Sequence, residues 1–585
     1  MLRVALVFAL LLSTSGFSLM SLAAASKDLA AITPVTSCQS LLEIDMSEVG
    51  GTGSQILSAT TNSHNDQDFC IVDGRLAPSI GFQVQLPLKG WSQRYLQVGC
   101  GGLCGRIGLQ VGAADGCVPL QAGEFVLAST DMGHQGQDAS FGRDTQKRAD
   151  FAHRGVHLTA QAAQKLIQAF YGQPAAYRYF TGCSDGGREA LMEAQRYPDD
   201  FHGIIAGAAA LNFQVQNGLY HAWQARANTG IDGKAILVAN RLPMLHKAVM
   251  AQCDTLDGQK DGLLSDPRAC HFDPGTLQCA GGQSSEYCLS AAEVDAVRKL
   301  YDGPRDPGNG ERLTIGGPQP GSELSWAGVF VPHAADQPIF SERIAIEALR
   351  NLVFTETPEP GFTLTDLQFN AETFDKLRDR HTLFDATNPD LYPFTERGSK
   401  LIIWHGWSDP HISPLNSIAY YESLEAELGK ARTNAFSRLY LLPGVYHCSG
   451  GEGPSQLDLL TPMLAWVESG IAPDAVVTRQ AEAVQRPTSF GAPAIGQAEH
   501  FARDGNGQRP PRAPMAMDAE LSTVNNRANA GRTCPIYPYP LVAFYSGQGD
   551  PQHAGSYTRG APLIQPEPVQ WRGIDFFKPY TPLMQ

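Results

Sequence analysis

The chain has 585 residues, of which 43% are hydrophobic and 18% are charged, a composition that excludes a disordered chain; the length suffices for a core domain and a second domain. The formal net charge is -15 without any block of Lys or Arg, so repulsion disfavours nucleic acid and anionic membranes as partners. A small substrate that is neutral or weakly charged fits better, and the sequence carries no signal for an oligomeric state.

The chain begins with a segment typical of a secretory signal. Residues 1–25 contain one Arg, then an apolar run, then the small residues Ala23, Ala24 and Ala25, which is the order of regions in a signal peptide. The alternative is a transmembrane anchor, but the uninterrupted apolar run is shorter than the roughly 20 residues that a bilayer needs. The sequence therefore predicts a signal peptide over residues 1–25 and a secreted or periplasmic protein.

Downstream of this segment, the apolar residues predict alternating strands and helices. Short strands are predicted between residues 80 and 134, in GFQVQLPL, RYLQVG and EFVLASTDMGH. A helix fits residues 157–172, where apolar residues recur at helical spacing and Gly172 ends the pattern. A strand, a helix and another strand follow over residues 176–182, 188–198 and 203–210. This order predicts an α/β protein with a parallel sheet.

The alternation stops in the middle of the chain. Residues 212–394 hold closely grouped Asp residues, four cysteines and many Pro and Gly turns, without a clear strand and helix order. The α/β pattern resumes at KLIIWHGWSDP, so the middle is predicted to be an insertion that interrupts one sheet. The predicted organisation is a first core part over 26–211, an inserted domain over 212–394, and a second core part over 395–585 with an irregular tail.

Twelve cysteines follow the predicted signal peptide. In an exported protein, an even number of this size favours disulfides over free thiols. The alternative is a zinc site at Cys100 and Cys104, whose spacing resembles a zinc finger, but no matching pair of Cys or His follows nearby.

The stretch TGCSDGG centres on Ser184 and matches the pattern G-x-S-x-G through Gly182 and Gly186. It lies between a predicted strand and a predicted helix, the context in which this pattern forms a sharp turn that exposes a nucleophilic serine. Because the cysteines are expected in disulfides, Ser184 rather than the thiol of Cys183 is the predicted nucleophile. The helix that follows offers backbone N–H groups to a developing oxyanion.

An acid and a histidine should follow the serine, each just after a later strand. Asp409 follows the apolar run LIIW, and His447 follows LYLLPG. Asp409 would hold the imidazole of His447 in its working tautomer, and His447 would take the proton of Ser184 and return it to the leaving alcohol. The alternatives are that Asp409 caps a helix and that His447 is a packed loop histidine, and His405 and His411 are nearby competitors.

An oxyanion hole needs two donors. The first predicted donor is the backbone N–H of Asp185, and the second comes from the loop VGCGGLCG, with Gly101 and Gly102 as candidates. The alternative for this loop is an ordinary glycine turn constrained by disulfides. Cys183 precedes the predicted nucleophile and Cys448 follows the predicted base, so a disulfide between them would tie the two catalytic loops together.

These residues give the chain a resemblance to the tannase and feruloyl esterase family. The signature of that family is Cys-Ser, then Asp, then His-Cys, and it corresponds here to Cys183 and Ser184, Asp409, and His447 and Cys448. The likeness extends over GCGGLCG, STDMGH, RADFAHRGVH, IIWHGWSDPHISP and CPIYPYPLVAFYSGQGDP. The resemblance implies an α/β-hydrolase core with a lid inserted between nucleophile and acid.

The resemblance also implies a serine carboxylic-ester hydrolase that acts through an acyl-enzyme. The implied substrates are esters of aromatic acids, either hydroxycinnamoyl (feruloyl) or galloyl esters, and the alternative is a terephthalate monoester such as mono(2-hydroxyethyl) terephthalate. An alternative of another class is a non-catalytic, calcium-dependent binding protein on an esterase fold, against which the intact triad argues. Trp326 and Ile412 are candidates for the substrate pocket, and the alternative for Trp326 is a core tryptophan.

The insertion contains the acidic loop CDTLDGQKDGLLSDPRAC, in which Asp254, Asp257 and Asp261 fall within eight residues. Hard oxygen ligands at this density suit Ca2+, and the alternative is a solvated Asp/Gly turn. The resemblance implies a structural calcium site in the lid, with these three side chains and the backbone carbonyls of Gln259 and Leu263 as ligands.

The resemblance implies further disulfides in the pairs Cys38–Cys70, Cys253–Cys270 and Cys279–Cys288. The chain departs from the family in its tail, because relatives usually carry a second cysteine where this chain reads GSYTRG. The cysteines left over are Cys100, Cys104, Cys117 and Cys534. These four could form two bridges in three ways.

Overall fold

The computed structural model describes residues 26–64, 67–282, 287–480, 531–565 and 568–584. The predicted signal peptide, residues 1–25, lies outside these ranges. In the described part of the chain, no helix has both the length and the apolar character that crossing a bilayer requires.

A mixed sheet of nine strands forms the core, with the spatial order β1-β2-β3-β5-β4-β6-β7-β8-β9. Its strands are β1 (Gln55–His64), β2 (Gln67–Leu76), β3 (Ile80–Pro87), β4 (Arg94–Val98), β5 (Phe125–Thr130), β6 (Tyr177–Cys183), β7 (Gly203–Gly207), β8 (Lys400–Gly406) and β9 (Ser437–Leu442). From β5 to β9 all neighbours pair in parallel, whereas β1, β2 and β3 form an antiparallel edge that ends on β5. The predicted α/β class is confirmed, and the antiparallel edge is an addition to the predicted parallel sheet.

The burial of the strands follows from this arrangement. Strand β7 is buried at every position, because parallel strands in the middle of a sheet have helices on both faces. Strand β3 alternates between buried and half-buried residues, as expected where the sheet turns antiparallel and one face is less covered.

Helices fill the connections. The α-helices are α1 (Ser47–Gly50), α2 (Val118–Gln121), α3 (Thr145–Ala149), α4 (Gly155–Tyr171), α5 (Asp185–Arg196), α6 (Phe213–Val215), α7 (His221–Ala227), α8 (Leu242–Cys253), α9 (Ala291–Asp302), α10 (Phe340–Ala348), α11 (Ala371–Leu377), α12 (His381–Phe384), α13 (Tyr392–Glu396), α14 (Leu415–Leu428), α15 (Lys430–Phe436) and α16 (Leu460–Ser469). Helix α4 ends at Gly172, which adopts a left-handed conformation with φ 73°, a conformation that favours glycine.

The long connection between β7 and β8 contributes no strand to the nine-stranded sheet in its described residues. It has a hydrophobic cluster of its own that includes Leu245, Val297, Trp326 and Phe330. The proposed boundaries of the lid at 212 and 394, and of the core parts at 26–211 and 395–585, stay predictions.

The tail is more regular than its Pro- and Gly-rich sequence predicts. Strand β10 (Gln456–Leu457), β11 (Val476–Arg479) and β12 (Thr533–Ile536) form a three-stranded sheet, and β13 (Val542–Tyr545) pairs with β14 (Tyr557–Gly560). A further bridge joins Pro538 to Tyr440 of β9. The prediction of an irregular tail was therefore wrong for residues 533–536, 542–545 and 557–560, because these strands are stabilised by distant partners that local sequence does not reveal.

Ten of the twelve cysteines are bridged. The disulfides are Cys38–Cys70, Cys100–Cys104, Cys183–Cys448, Cys253–Cys270 and Cys279–Cys288. Cys117 and Cys534 are buried thiols, so the expectation that all cysteines pair was wrong for these two. Burial raises the pKa of Cys117 to about 11 and that of Cys534 to about 12, and both thiols stay protonated near neutral pH.

Candidate active site

Ser184 lies on a strained turn between β6 and α5. Its φ of 65° and ψ of -120° lie in a region that residues with a side chain rarely adopt. The turn is closed by glycine contacts, because a Cβ on Gly182 would lie 2.4 Å from the carbonyl oxygen of Gly186. Since the serine itself is only half-buried, the turn holds a hydroxyl at the carboxyl edge of the sheet in a fixed, accessible position.

Asp409 lies in the loop that follows β8, at the same edge of the sheet. Its carboxylate is fully buried, and Oδ1 accepts the backbone N–H groups of His411 at 2.8 Å and Ile412 at 3.0 Å. Ile412, predicted in the pocket, is 4% exposed and acts here through its backbone. These two bonds fix Oδ1, so Oδ2 is the oxygen that faces the histidines.

His447 lies in the loop that follows β9, and its Nδ1 is 2.7 Å from Asp409 Oδ2. A carboxylate only accepts hydrogen bonds, so Nδ1 carries the proton and Nε2 is left as the basic nitrogen. Burial acts to raise the pKa of Asp409, but the charge of His447 and the hydrogen bonds from His405 and His447 outweigh it and hold the pKa well below its usual range. The acid is therefore a permanent anion that orients the imidazole.

His405, considered in the sequence as a competing base, contacts the same carboxylate. Its Nε2 lies 3.1 Å from both Asp409 Oδ2 and the carbonyl oxygen of Ile412, and its Nδ1 lies 2.8 Å from Ser417 Oγ. The ring is fully buried. His405 thus positions Asp409 through a buried hydrogen bond to Oδ2, a role that sequence spacing alone did not separate from that of the base.

A disulfide joins the serine loop to the histidine loop. Cys183 and Cys448 are bridged, with Cα atoms 5.9 Å apart and a sequence separation of 265. Since Ser184 and His447 are the direct neighbours of these cysteines, the bridge holds the two side chains at the same edge of the sheet.

The loop after β4 packs against the start of α5. A Cβ on Gly99 would lie 2.7 Å from the Cα of Gly186, so the two backbones touch. Asp185 is the first residue of α5, where backbone N–H groups have no partner within the helix. Gly101 and Gly102 follow directly in the same loop, and their role as donors to an oxyanion stays a prediction.

A buried carboxyl anchors this loop. Glu189 of α5 is fully buried, and its Oε2 accepts the N–H of Cys100 at 3.2 Å. Burial and the charge of Asp185 raise the pKa of Glu189 well above its usual range, so Glu189 is a neutral acid. The side chain of Asp185 is paired with Arg188 at 2.7 Å, which directs it away from the turn and leaves only its backbone at the site.

Side chains from the long connection cover the acid loop. Gln216 Nε2 donates to the carbonyl oxygen of His411, and the hydroxyl of Tyr220 donates to the carbonyl oxygen of Pro410 at 3.3 Å. Burial, and then the nearby charge of His447, lower the pKa of His221 to about 3. His221 is therefore neutral near pH 7 and adds no cation to the site.

Phe340 of the lid lies beside the histidines of the site. Its ring centroid lies 4.7 Å from that of His411, which lies 4.9 Å from that of His447. Trp326, the predicted aromatic wall, is fully buried against Tyr301 and Phe330. This placement agrees with the alternative of a core tryptophan, and no sequence motif marks Phe340.

The acidic loop of the insertion contains the residues that the sequence predicts as calcium ligands. Asp254 Oδ1 accepts the N–H groups of Asp261 and Gly262, and Asp257 Oδ2 accepts from Ser265 Oγ at 2.8 Å. The loop is closed by the disulfide between Cys253 and Cys270. Burial raises the pKa of Asp254 and of Asp257, and the charge of Asp261 raises both further, so this set of oxygen donors fits a hard cation that would offset their repulsion.

Two further features of the loop were not predicted. Arg532 of the tail forms an ion pair with Asp261 and supplies part of the counter-charge. Gln259 and Leu263 donate their N–H groups to Asp257 and Asp261, which places both residues in the loop, while the role of their carbonyls as ligands stays a prediction.

Comparisons with known proteins identify the family and the structures that the chain resembles. Residues 64–560 match the family model described as tannase and feruloyl esterase. The chain is 32% identical to an uncharacterised esterase of Xanthomonas campestris pv. campestris, over 94% of this chain and 95% of that protein. It is 29% identical to mono(2-hydroxyethyl) terephthalate hydrolase of Piscinibacter sakaiensis, over 86% and 87%. The crystal structure of feruloyl esterase B from Aspergillus oryzae superposes with a TM-score of 0.69 at 25% identity, over 89% of this chain and 100% of that one.

Proposed function

The chain belongs to the tannase and feruloyl esterase family, and on that premise we propose that this esterase is a serine carboxylic-ester hydrolase that cleaves esters of aromatic acids. The observation that carries the proposal is the pairing of a strained serine turn with a buried Asp409–His447 pair through one disulfide. This combination supplies a nucleophile, a base and an orienting acid within one edge of the sheet.

In the first half of the proposed reaction, Ser184 Oγ attacks the carbonyl carbon of the ester while Nε2 of His447 takes its proton. The negative charge that forms on the carbonyl oxygen would be stabilised by the N–H of Asp185 and by an N–H of Gly101 or Gly102. The tetrahedral intermediate then collapses, the C–O bond to the alcohol breaks, and His447 returns the proton to the leaving alcohol.

In the second half, water attacks the acyl-enzyme. Nε2 of His447 takes a proton from the water, the hydroxide adds to the acyl carbon, and the same donors hold the oxyanion. Collapse releases the free acid and returns the proton to Ser184 Oγ. Asp409 stays ionised throughout, which its four hydrogen bonds from His405, His411, Ile412 and His447 favour.

The proposed substrate class rests on the relatives and on the lid. The relatives bear the names feruloyl esterase and mono(2-hydroxyethyl) terephthalate hydrolase. The rings of Phe340 and His411 beside His447 provide an apolar surface suited to an aromatic acyl group. A feruloyl or galloyl ester is the first candidate, and a terephthalate monoester is the second.

A panel of substrates tests this proposal. We expect kcat/KM on methyl ferulate or methyl gallate to exceed that on mono(2-hydroxyethyl) terephthalate, and Ser184→Ala to lose at least about 1,000-fold on every ester. Ser58→Ala is the matched control, because its hydroxyl donates to Asp73 on the antiparallel edge of the sheet. Full activity of Ser184→Ala would contradict the mechanism, whereas ligand binding without turnover in the wild type would favour a binding protein.

We propose that the protein is secreted or periplasmic. Its five disulfides are typical of proteins that fold in an oxidising compartment. Expression with a C-terminal tag, followed by fractionation and N-terminal sequencing, tests this: export with cleavage near residue 25 supports it, and an intact protein that stays in the cytosol contradicts it.

We also propose that Asp254, Asp257 and Asp261 hold a structural Ca2+ with the carbonyls of Gln259 and Leu263. The ion would supply positive charge to a loop whose carboxylates repel one another. With calcium at about 100 times its Kd, the free energy of unfolding should rise by about 2.7 kcal/mol relative to the chelated protein.

Thermal unfolding with calcium and with a chelator measures this effect. Asp257→Asn should remove most of the calcium-dependent rise in Tm, while Asp232→Asn, on a different lid turn where Asp232 accepts the N–H of Lys234, should retain it. An undiminished calcium effect in Asp257→Asn would show that the ion binds elsewhere.

A further inference from the structure

A second group of metal-ligating side chains lies outside the active site and the acidic loop. His157 of α4, Glu193 of α5 and Asp200 of the loop after α5 each offer one ligand atom, and these atoms all lie within 4.8 Å of one another. His157 Nδ1 is 2.6 Å from Asp200 Oδ2. Two ligands of one zinc ion, each about 2 Å from the metal, lie up to about 4 Å apart, so the observed spacing is close to that of a ligand set.

Among these three residues, Glu193 is the one whose carboxylate lacks a partner. It is fully buried, and neither of its carboxylate oxygens has a hydrogen-bond partner among the described residues. A buried, unpartnered carboxylate beside a second carboxylate is destabilised unless a positive charge joins them.

Neighbouring side chains hold the imidazole of His157 in a fixed orientation. Gln161 Nε2 lies 2.9 Å from His157 Nε2, so the side-chain amide of Gln161 donates to one ring nitrogen, while Nδ1 faces Asp200 Oδ2 and must release its proton before it can bind a metal ion. Tyr197 stacks on the imidazole with ring centroids 3.7 Å apart. The side chains of His157 and Asp200 are 19% and 15% exposed, which gives an ion a route from solvent to the buried Glu193.

We propose that His157, Glu193 and Asp200 bind a divalent transition-metal ion of the zinc class. One imidazole and two carboxylates form a ligand set that zinc accepts, with water in the fourth position. The ion would join α4, α5 and the loop at 198–201. This site is independent of the ester chemistry and of the calcium loop. The other compact group, Cys100, Cys104, Asp185 and Glu189, is not equivalent, because its two sulfur atoms form a disulfide.

The test is a titration of Zn2+ into the full-length protein by calorimetry, after removal of metals and in excess Ca2+. We expect one Zn2+ to bind and His157→Ala to weaken binding by more than about 100-fold. His553→Ala is the matched control, since His553 and Asp550 form an exposed His–Asp pair with side chains 68% and 56% exposed; it should bind Zn2+ as the wild type does.

Glu193→Gln and Co2+ absorption complete the experiment. Glu193→Gln should also lose Zn2+ binding, and the visible bands of bound Co2+ should disappear in both site variants. The proposal is overturned if the wild type binds no Zn2+ or if His157→Ala binds it unchanged. If Glu193→Gln fails to fold, the Zn2+ affinity of His157→Ala, which changes a partly exposed residue, still tests the proposal. A wild type without zinc binding whose Glu193→Gln variant unfolds at the same or a higher temperature would show that Glu193 holds a proton instead.

Discussion

Asp409→Asn is expected to lower kcat for ester hydrolysis by about 10,000-fold while the protein still folds. The asparagine oxygen should keep the position of Oδ1, because the N–H groups of His411 and Ile412 both donate to that atom. The amide nitrogen then faces Nδ1 of His447 and, as a donor, forces that nitrogen to accept. The proton of the imidazole moves to Nε2, which can no longer take the proton of Ser184.

The chain offers a close control for this variant. Asp385 is also fully buried, its Oδ1 accepts the N–H of Gln214 at 2.8 Å, and its Oδ2 lies 2.6 Å from Nδ1 of His381. Asp385→Asn therefore makes the same chemical change to a buried His–Asp pair outside the proposed triad, and its loss of kcat should be much smaller than that of Asp409→Asn. Steady-state kinetics and thermal unfolding of both variants separate the outcomes: an equal loss of kcat in the two would mean that the effect of Asp409→Asn is general destabilisation.

The local sequence pattern was sufficient to predict those parts of the site that a single strand and the turn after it define. Ser184, Asp409 and His447 each follow a short apolar run, and the carboxyl ends of parallel strands meet at one edge of a sheet. The glycines around Ser184 are required by contacts within the turn itself, such as that between Gly182 and Gly186. The structure brings Asp409 and His447 together, and the sequence predicted this from position along the chain.

Features that depend on distant partners were not predictable in the same way. His405 and His447 both contact Oδ2 of Asp409, and they differ in that the second ring nitrogen of His405 is bonded to Ser417 on α14. Phe340 contacts His411 because the lid folds back over the acid loop. Trp326 is a residue type that often lines pockets, but here it packs in the interior of the lid.

The cysteines show the same limit. The bridge between Cys183 and Cys448 follows from the adjacency of each cysteine to a predicted catalytic residue. The pairing of Cys100, Cys104, Cys117 and Cys534 could not be predicted in this way, and only Cys100 and Cys104 among them are bridged. Cys117 and Cys534 lie in one apolar cluster, where burial alone accounts for their presence as small hydrophobic residues.

Removing the bridge between Cys183 and Cys448 should impair catalysis, although neither cysteine takes part in the proposed reaction. In the double variant Cys183→Ala/Cys448→Ala, we expect kcat to fall by up to about 100-fold, since a displacement of about 1 Å between catalytic groups can cost that much. KM should change less, because Phe340 and His411 stay in place. The bridge also closes 265 residues of chain, so its loss should lower the free energy of unfolding by roughly 5 kcal/mol on the chain-entropy estimate.

A second disulfide distinguishes catalytic positioning from stability. The bridge Cys38–Cys70 closes 32 residues at the antiparallel edge of the sheet, where Cys70 belongs to β2. Cys38→Ala/Cys70→Ala should therefore lower the free energy of unfolding with kcat unchanged, when both double variants are assayed well below their unfolding temperatures. If the two variants lost kcat to the same extent, the Cys183–Cys448 bridge would only stabilise the fold. A loss of kcat confined to Cys183→Ala/Cys448→Ala would show that this disulfide holds Ser184 and His447 in register.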